Sequence, residues 1–287
     1  MSIYDSEAAR HEVRDWCTAR LAADETVRDR AEVATTLGLT HVTLAGRAGP
    51  WALVLPAAAE SAAVLGGLTA ALAGQHRVAV VDLPGEPGLS HDEPPHDDLV
   101  GRYDDWLSEI VSAVAGDEPV VLVADGLGAT VALCSTSDRV AGLVAVSPVG
   151  VNEYPGDLGY ALRELRVGLS PTEANANRLL RPFYGDGLPP DHDLLVEWTM
   201  LLGRTVWPSD PPALLPNAVL SRWRDIPHRV LVGEHDAMHR HDRIARPVEA
   251  LMGSEVRVVP GVGETAVHED PGAVAGAVGE LTAATRA

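Results

Sequence analysis

Lysine is missing from this 287-residue chain: its 22 basic residues are all arginine, set against 41 aspartates and glutamates. The formal net charge of -19 argues against a nucleic acid or an anionic membrane as partner, and fits a soluble protein. Cysteine is scarce too. Cys17 and Cys134 stand far apart, and no paired Cys/His spacing of a zinc site accompanies them, so neither a metal nor a cofactor is expected. Both read as thiols of a reducing cytoplasm. No apolar run approaches the ~20 residues that span a bilayer. The first residues, Met1-Ser2-Ile3-Tyr4-Asp5-Ser6-Glu7, lack the charged and apolar regions of a signal peptide, so a cytoplasmic location is expected. Internal repeats and low-complexity tracts are absent. The Ala, Gly, Val, Arg and Asp bias is that of a GC-rich bacterial gene.

What is present is enough apolar residue, 46% of the chain, to bury a sizeable core. A helical spacing over residues 8–35 predicts an N-terminal helix. Strand-like runs follow at 40–46, 51–55, 77–82, 120–124 and 140–146, with helix-compatible stretches at 58–73, 103–114 and 129–134 between them. Short, wholly apolar strands alternating with helices predict an α/β fold with a mostly parallel sheet covered on both faces. The alternation stops near Ser147. Residues 151–223 carry amphipathic pieces broken by Gly187-Leu188-Pro189-Pro190 and by Pro208-Ser209-Asp210-Pro211-Pro212. It resumes with strands at 229–232 and 255–259, and helices at 244–252 and 271–285. The expected organisation is a core of residues 1–150 and 224–287, with a helical cap at 151–223 inserted after the sixth strand. The cap holds Tyr154, Tyr184, Trp198 and Trp207. In a chain with only 4% aromatics, these are candidates to line a substrate pocket over the carboxyl edge of the sheet.

The most telling stretch is Val120-Val121-Leu122-Val123-Ala124-Asp125-Gly126-Leu127-Gly128-Ala129. It reads as a buried strand, a sharp turn with small residues two places either side of its centre, and a helix. That resembles the G-x-S-x-G nucleophile elbow of the α/β-hydrolase superfamily. Other segments resemble the superfamily in the same order: Trp51 to Ala57, Asp82-Leu83-Pro84-Gly85-Glu86-Pro87-Gly88-Leu89-Ser90, Leu231 to Asp236, and Pro260 to Glu264 with Glu269-Asp270-Pro271. The N-terminal part, and the helix around Tyr103 to Leu107, are similar to a bacterial carboxylesterase-like branch. The resemblance covers about four-fifths of the chain and implies the α/β-hydrolase fold.

The departures fall on the catalytic positions. The superfamily's nucleophile lands on Gly126, its histidine on Glu264, and the first oxyanion loop's His-Gly on Pro56-Ala57. Only the acid remains, as Asp236. The resemblance implies backbone donors for an oxyanion at Leu127, beside Gly126, with Ala58 as the second. Asp125 is weighed as a nucleophile, but the elbow register fits Gly126 better; it stays a candidate third acid. Asp236 and Glu264 are expected to approach one another as an acid/base pair. His235, His239, His241 and His268 are read mainly as surface residues, with His268 also a possible stand-in for the lost imidazole. Ser61, Ser90 and Ser147 are read as capping or turn residues.

These readings predict a non-hydrolytic enzyme on a hydrolase scaffold. It would be a lyase or cyclase-type tailoring enzyme, acting by elimination, decarboxylation or ring closure on an apolar carbonyl intermediate of bacterial secondary metabolism. The alternatives are a non-catalytic ligand-binding protein and, further, a true esterase or hydrolase with a displaced nucleophile. A small apolar carbonyl compound is the expected partner, and a monomer or homodimer the expected state.

Overall fold

The computed structural model describes residues 2–152, 158–206 and 214–284. Its elements run α1 (Glu7–Ala23), β1 (Val27–Thr35), β2 (Gly38–Ala45), β3 (Trp51–Leu55), α2 (Gly66–Ala73), β4 (Arg77–Val81), α3 (Leu99–Ala115), β5 (Val120–Asp125), α4 (Gly126–Cys134) and β6 (Val140–Val146). Then come α5 (Leu158–Leu169), α6 (Glu173–Leu180), α7 (His192–Leu202), α8 (Asn217–Ser221), β7 (His228–Gly233), α9 (His241–Pro247), β8 (Val256–Val259), α10 (Ala266–Glu269) and α11 (Pro271–Ala284).

One sheet of eight strands carries the molecule, in the order β1-β2-β4-β3-β5-β6-β7-β8. β2 pairs antiparallel with both β1 and β4, while every pairing from β4 to β8 is parallel. β3 and β5, central in this order, are buried along their whole length. That is why they read as unbroken apolar runs rather than as alternation. One face is covered by α3, α4, α8 and α9 through Trp106, Leu107, Ile110, Val131, Leu220 and Ile244, with Trp223 from the 3-10 turn after α8. The other is covered by α1, α2 and α11 through Val13, Cys17, Leu68, Leu72, Val274 and Val278. In α3, Asp98 caps the N-terminus by accepting from Gly101 N–H, and Trp106, Leu107, Ile110 and Val111 repeat at helical spacing to form the buried stripe.

The predicted helix over 8–35 is corrected. It ends at Ala23, and residues 27–35 form the edge strand β1. Arg28, Asp29, Arg30 and Glu32 face solvent there, so the strand carries little of the apolar alternation that identifies one; charge on an edge strand also blocks pairing with another chain. The predicted helix over 58–73 is shortened to α2, preceded by a single 3-10 turn at Ala62–Val64. The backbone before it is held elsewhere: Ala59 sits at φ +59, its N–H donates to Glu86 Oε2 at 2.7 Å, and Ala62 N–H donates to Asp82 Oδ1 at 2.8 Å. Between β6 and β7 the chain leaves the sheet for α5 to α8.

Candidate active site

The elbow forms where the sequence places it. β5 ends at Asp125 and α4 begins at Gly126, whose φ is +48. A Cβ added at Gly128 would lie 2.2 Å from the Leu55 carbonyl oxygen, so the helix can pack this close to β3 only with glycine there. At Gly126 a Cβ would meet the Ala57 Cβ at 3.1 Å, a tight but passable contact. Leu127 follows in the first turn of α4, where N–H groups have no partner inside the helix. Ala58 lies on the exposed loop after β3.

Three acidic positions converge behind this turn. Asp125 is buried, and that burial, reinforced by Glu60 and Asp236, raises its pKa well above the ordinary value; His268 works the other way. Asp236 follows β7 on a loop that packs close to the Glu264 loop: a Cβ at Gly233 would strike the Gly263 carbonyl oxygen at 1.9 Å. Asp236 Oδ1 accepts from the N–H groups of Met238 at 2.9 Å and His239 at 2.6 Å. Its Oδ2 lies 2.9 Å from Ser147 Oγ. Glu264 follows β8, with its backbone N–H donating to the Phe183 carbonyl at 2.8 Å. Burial raises its pKa well above the ordinary value, and the charges of Asp236, Asp125 and Glu60 add to this. One donor atom each from Asp236, His239 and Glu264 lies within 4.8 Å of the other two.

The histidines divide, against the surface reading. His235 and His241 are exposed, but His239 and His268 are buried. His239 Nδ1 stands 3.7 Å from Asp236 Oδ2 and 4.0 Å from Glu264 Oε1. Burial lowers its pKa, with Asp236 opposing, which favours the neutral ring. His268 does not take the place of the missing imidazole beside Asp236. Its Nδ1 pairs with Asp191 Oδ2 at 2.7 Å and its Nε2 with Glu60 Oε1 at 2.9 Å. Burial alone would lower its pKa, but the two carboxylates outweigh that and lift it to about 10, so the ring is charged.

Sequence reasoning missed three residues. Ser147, at φ +40, is more than a turn residue, because its hydroxyl holds the acid Asp236. Glu86 is buried, and that burial lifts its pKa to about 7 while it binds the Ala59 N–H. Glu60 joins the site through His268. A signal existed for Glu60 alone, since it lies two residues beyond the oxyanion-loop position. Ser61 and Ser90 have structural partners: Ser61 Oγ lies 3.7 Å from Cys17 Sγ, and Ser90 Oγ donates to the Asp82 carbonyl at 2.6 Å.

Of the four aromatic pocket candidates, Tyr154 and Trp207 lie outside the described residues. Tyr184 and Trp198 are buried in the core cluster. Trp198 Nε1 donates to the Ala59 carbonyl at 2.7 Å and its ring lies 4.9 Å from Trp16; Tyr184 meets the His192 ring edge-on at 5.6 Å. A cavity of about 590 Å³ lies elsewhere, between α1 and β1.

No described helix is long and apolar enough to cross a membrane. A search of curated protein sequences finds no match. Among solved structures, the chain is similar to carboxylesterase CesB from Bacillus subtilis, at 20% identity over 96% of this chain and 98% of that one, with a TM-score of 0.76. It is similar to naproxen esterase from Bacillus subtilis, at 17% identity over 96% and 98%, with a TM-score of 0.75. Esterase RhEst1 from Rhodococcus sp. ECU1013 matches at 20% identity over 90% and 100%, with a TM-score of 0.68. These names correct the functional expectation. The elimination or cyclisation enzyme of secondary metabolism has no counterpart among them, and neither does a non-catalytic binding protein; each is an esterase. The sequence profile described as the alpha/beta hydrolase family matches residues 45–277. With that match, on this sheet order and with this elbow, the chain belongs to the alpha/beta hydrolase family.

Proposed function

We propose that this chain is a hydrolase of apolar carboxylic esters in which water, not a side chain, attacks the carbonyl. The observation that carries the reading is that the elbow position holds Gly126, with no side chain, while Glu264 stands with Asp236 and His239 on the loops after β7 and β8. The attacking water takes the role of the nucleophilic side chain that Gly126 lacks. Glu264, on the loop after β8 that packs against the Asp236 loop, takes the water proton as the oxygen attacks. The carbonyl π pair moves onto oxygen, held by the N–H groups of Leu127 and Ala58. Collapse expels the alkoxide, which recovers the proton from Glu264. Asp125, buried behind the turn, sets the local field. Residues 151–223 act as the cap, tied to the core by Trp198 on Ala59. The ester class comes from the solved relatives, which are carboxylesterases by name.

The test is a panel of p-nitrophenyl esters with the full chain. Hydrolysis without a burst, insensitive to a fluorophosphonate and lost in Glu264→Gln, is expected. Single turnover in H₂¹⁸O with enzyme in excess should place the label in the acid product. Fluorophosphonate labelling of a serine, or a panel that is not hydrolysed at all, overturns the reading.

A further inference from the structure

Asp236 and Glu264 bring two carboxyl groups against the buried His239, with one ligand atom of each of the three within 4.8 Å of the other two. The chain has no lysine, and among the described residues no ion pair gives Asp236 or Glu264 an arginine. His268, charged, is already committed to Glu60 and Asp191. Buried carboxylates persist when they are paired or bind a cation. A second observation points the same way. Glu264 Oε2 is sealed from solvent and accepts no hydrogen bond from a described residue, although the side chain as a whole is 26% exposed.

We infer that Asp236, His239 and Glu264 bind one divalent first-row transition-metal cation, such as Zn²⁺ or Mn²⁺. An imidazole nitrogen with two carboxylates is a donor set for such an ion. Cation–ligand distances of about 2.0–2.2 Å place tetrahedral ligand atoms roughly 3.4 Å apart. The observed 3.7 and 4.0 Å are wider by roughly 0.3 and 0.6 Å, and the third pair, inside 4.8 Å, by at most about 1.4 Å. Glu264 is the arm that closes the set, because its head is the least tethered of the three. Asp236 is held in place by Ser147 and by the N–H groups of Met238 and His239, the supporting bonds that orient a ligand. The inference rests on the hydrolase reading for its purpose: a cation here would bind and acidify the attacking water, which the missing serine leaves as the nucleophile.

The experiment uses the full chain stripped with EDTA and titrated calorimetrically with ZnCl₂ and, separately, MnCl₂. Co²⁺ is added as a spectroscopic probe of an ordered ligand set. One equivalent should bind, and Glu264→Gln should weaken binding by roughly 10–100-fold or more with an unchanged melt of the metal-free chain. His239→Gln should act in the same direction. Absence of binding, or binding that Glu264→Gln leaves unchanged, overturns the cation site. The two readings fail separately. Ester hydrolysis that survives EDTA, together with no binding, removes the cation and leaves the hydrolase. One Glu264-dependent equivalent, with no ester hydrolysed, does the reverse.

Discussion

His268 Nε2 lies 2.9 Å from Glu60 Oε1, with the imidazole side chain only 2% exposed, and Asp191 closes the other side of the ring at 2.7 Å. Glu60 comes from the loop after β3, His268 from α10, and Asp191 from the residue preceding α7. One charged ring thus ties the start of α7 to the loop after β3 and to α10. The Asp125 carboxyl feels the charge of the same ring, and the Tyr184 hydroxyl senses Glu60 and Asp191.

That triad predicts a loss of stability in alkali. His268 titrates at about 10 in the folded chain and near 6.5 when unfolded. A raised pKa means the folded state holds a proton the unfolded state has lost. The contribution is therefore full below pH 6.5, falls across the window from 6.5 to 10, and is gone above it. It amounts to on the order of a few kcal/mol. Urea denaturation at about pH 6, 8 and 10 should show that decline, and His268→Gln should be less stable at the lowest pH and flatter across the series. A wild-type decline that His268→Gln reproduces unchanged would assign the effect to other groups.

Ser147 predicts a structural cost at the acid. Its hydroxyl is the side-chain donor to Asp236 Oδ2, in a position buried from water. Ser147→Ala leaves that oxygen without its donor and should cost about 1–3 kcal/mol by urea denaturation. Because alanine is as strained as serine at φ +40, Ser147→Gly offers a control: it removes the donor and the strain together, and should be the more stable of the two.

The fold was legible because its signals are local. Wholly apolar runs such as Val120 to Ala124 mark buried parallel strands, and the close packing at Gly128 demands the small residue that identifies the elbow. β1 was illegible because an edge strand of Arg28, Asp29, Arg30 and Glu32 shows no apolar face. The site was half legible. Gly126, Glu264 and Asp236 stand out only against a pattern with known roles. His239, His268, Glu60 and Ser147 become meaningful only when the loops after β3, β6, β7 and β8 meet in space, and no spacing along the chain encodes that meeting.

Gly128 predicts a sharp contrast with its neighbour. Gly128→Ala drives a Cβ to 2.2 Å from the Leu55 carbonyl, backbone against backbone, with Pro56 O also at 2.6 Å. The strand must shift, so a loss of at least about 3 kcal/mol or failure to fold is expected. Gly126→Ala meets a methyl at 3.1 Å and carries the cost of φ +48, about 1–2 kcal/mol. Thermal melts of the two variants should rank in that order; the reverse ranking would place the close packing at the wrong glycine.

Restoring the missing groups tests the register of the whole site. Gly126→Ser adds a hydroxyl where the family carries its nucleophile, but Glu264 is a poor substitute for an imidazole as its base. That variant alone should react slowly, if at all, with a fluorophosphonate. Gly126→Ser with Glu264→His, beside the retained Asp236, recreates the order of groups found in serine hydrolases. It should label at the introduced serine and release p-nitrophenol in a burst. Mass spectrometry of the labelled chain reads the outcome. Equal failure of the single and the double variant, both folded, would mean that Gly126 and Glu264 do not face one another across the site as the elbow register requires.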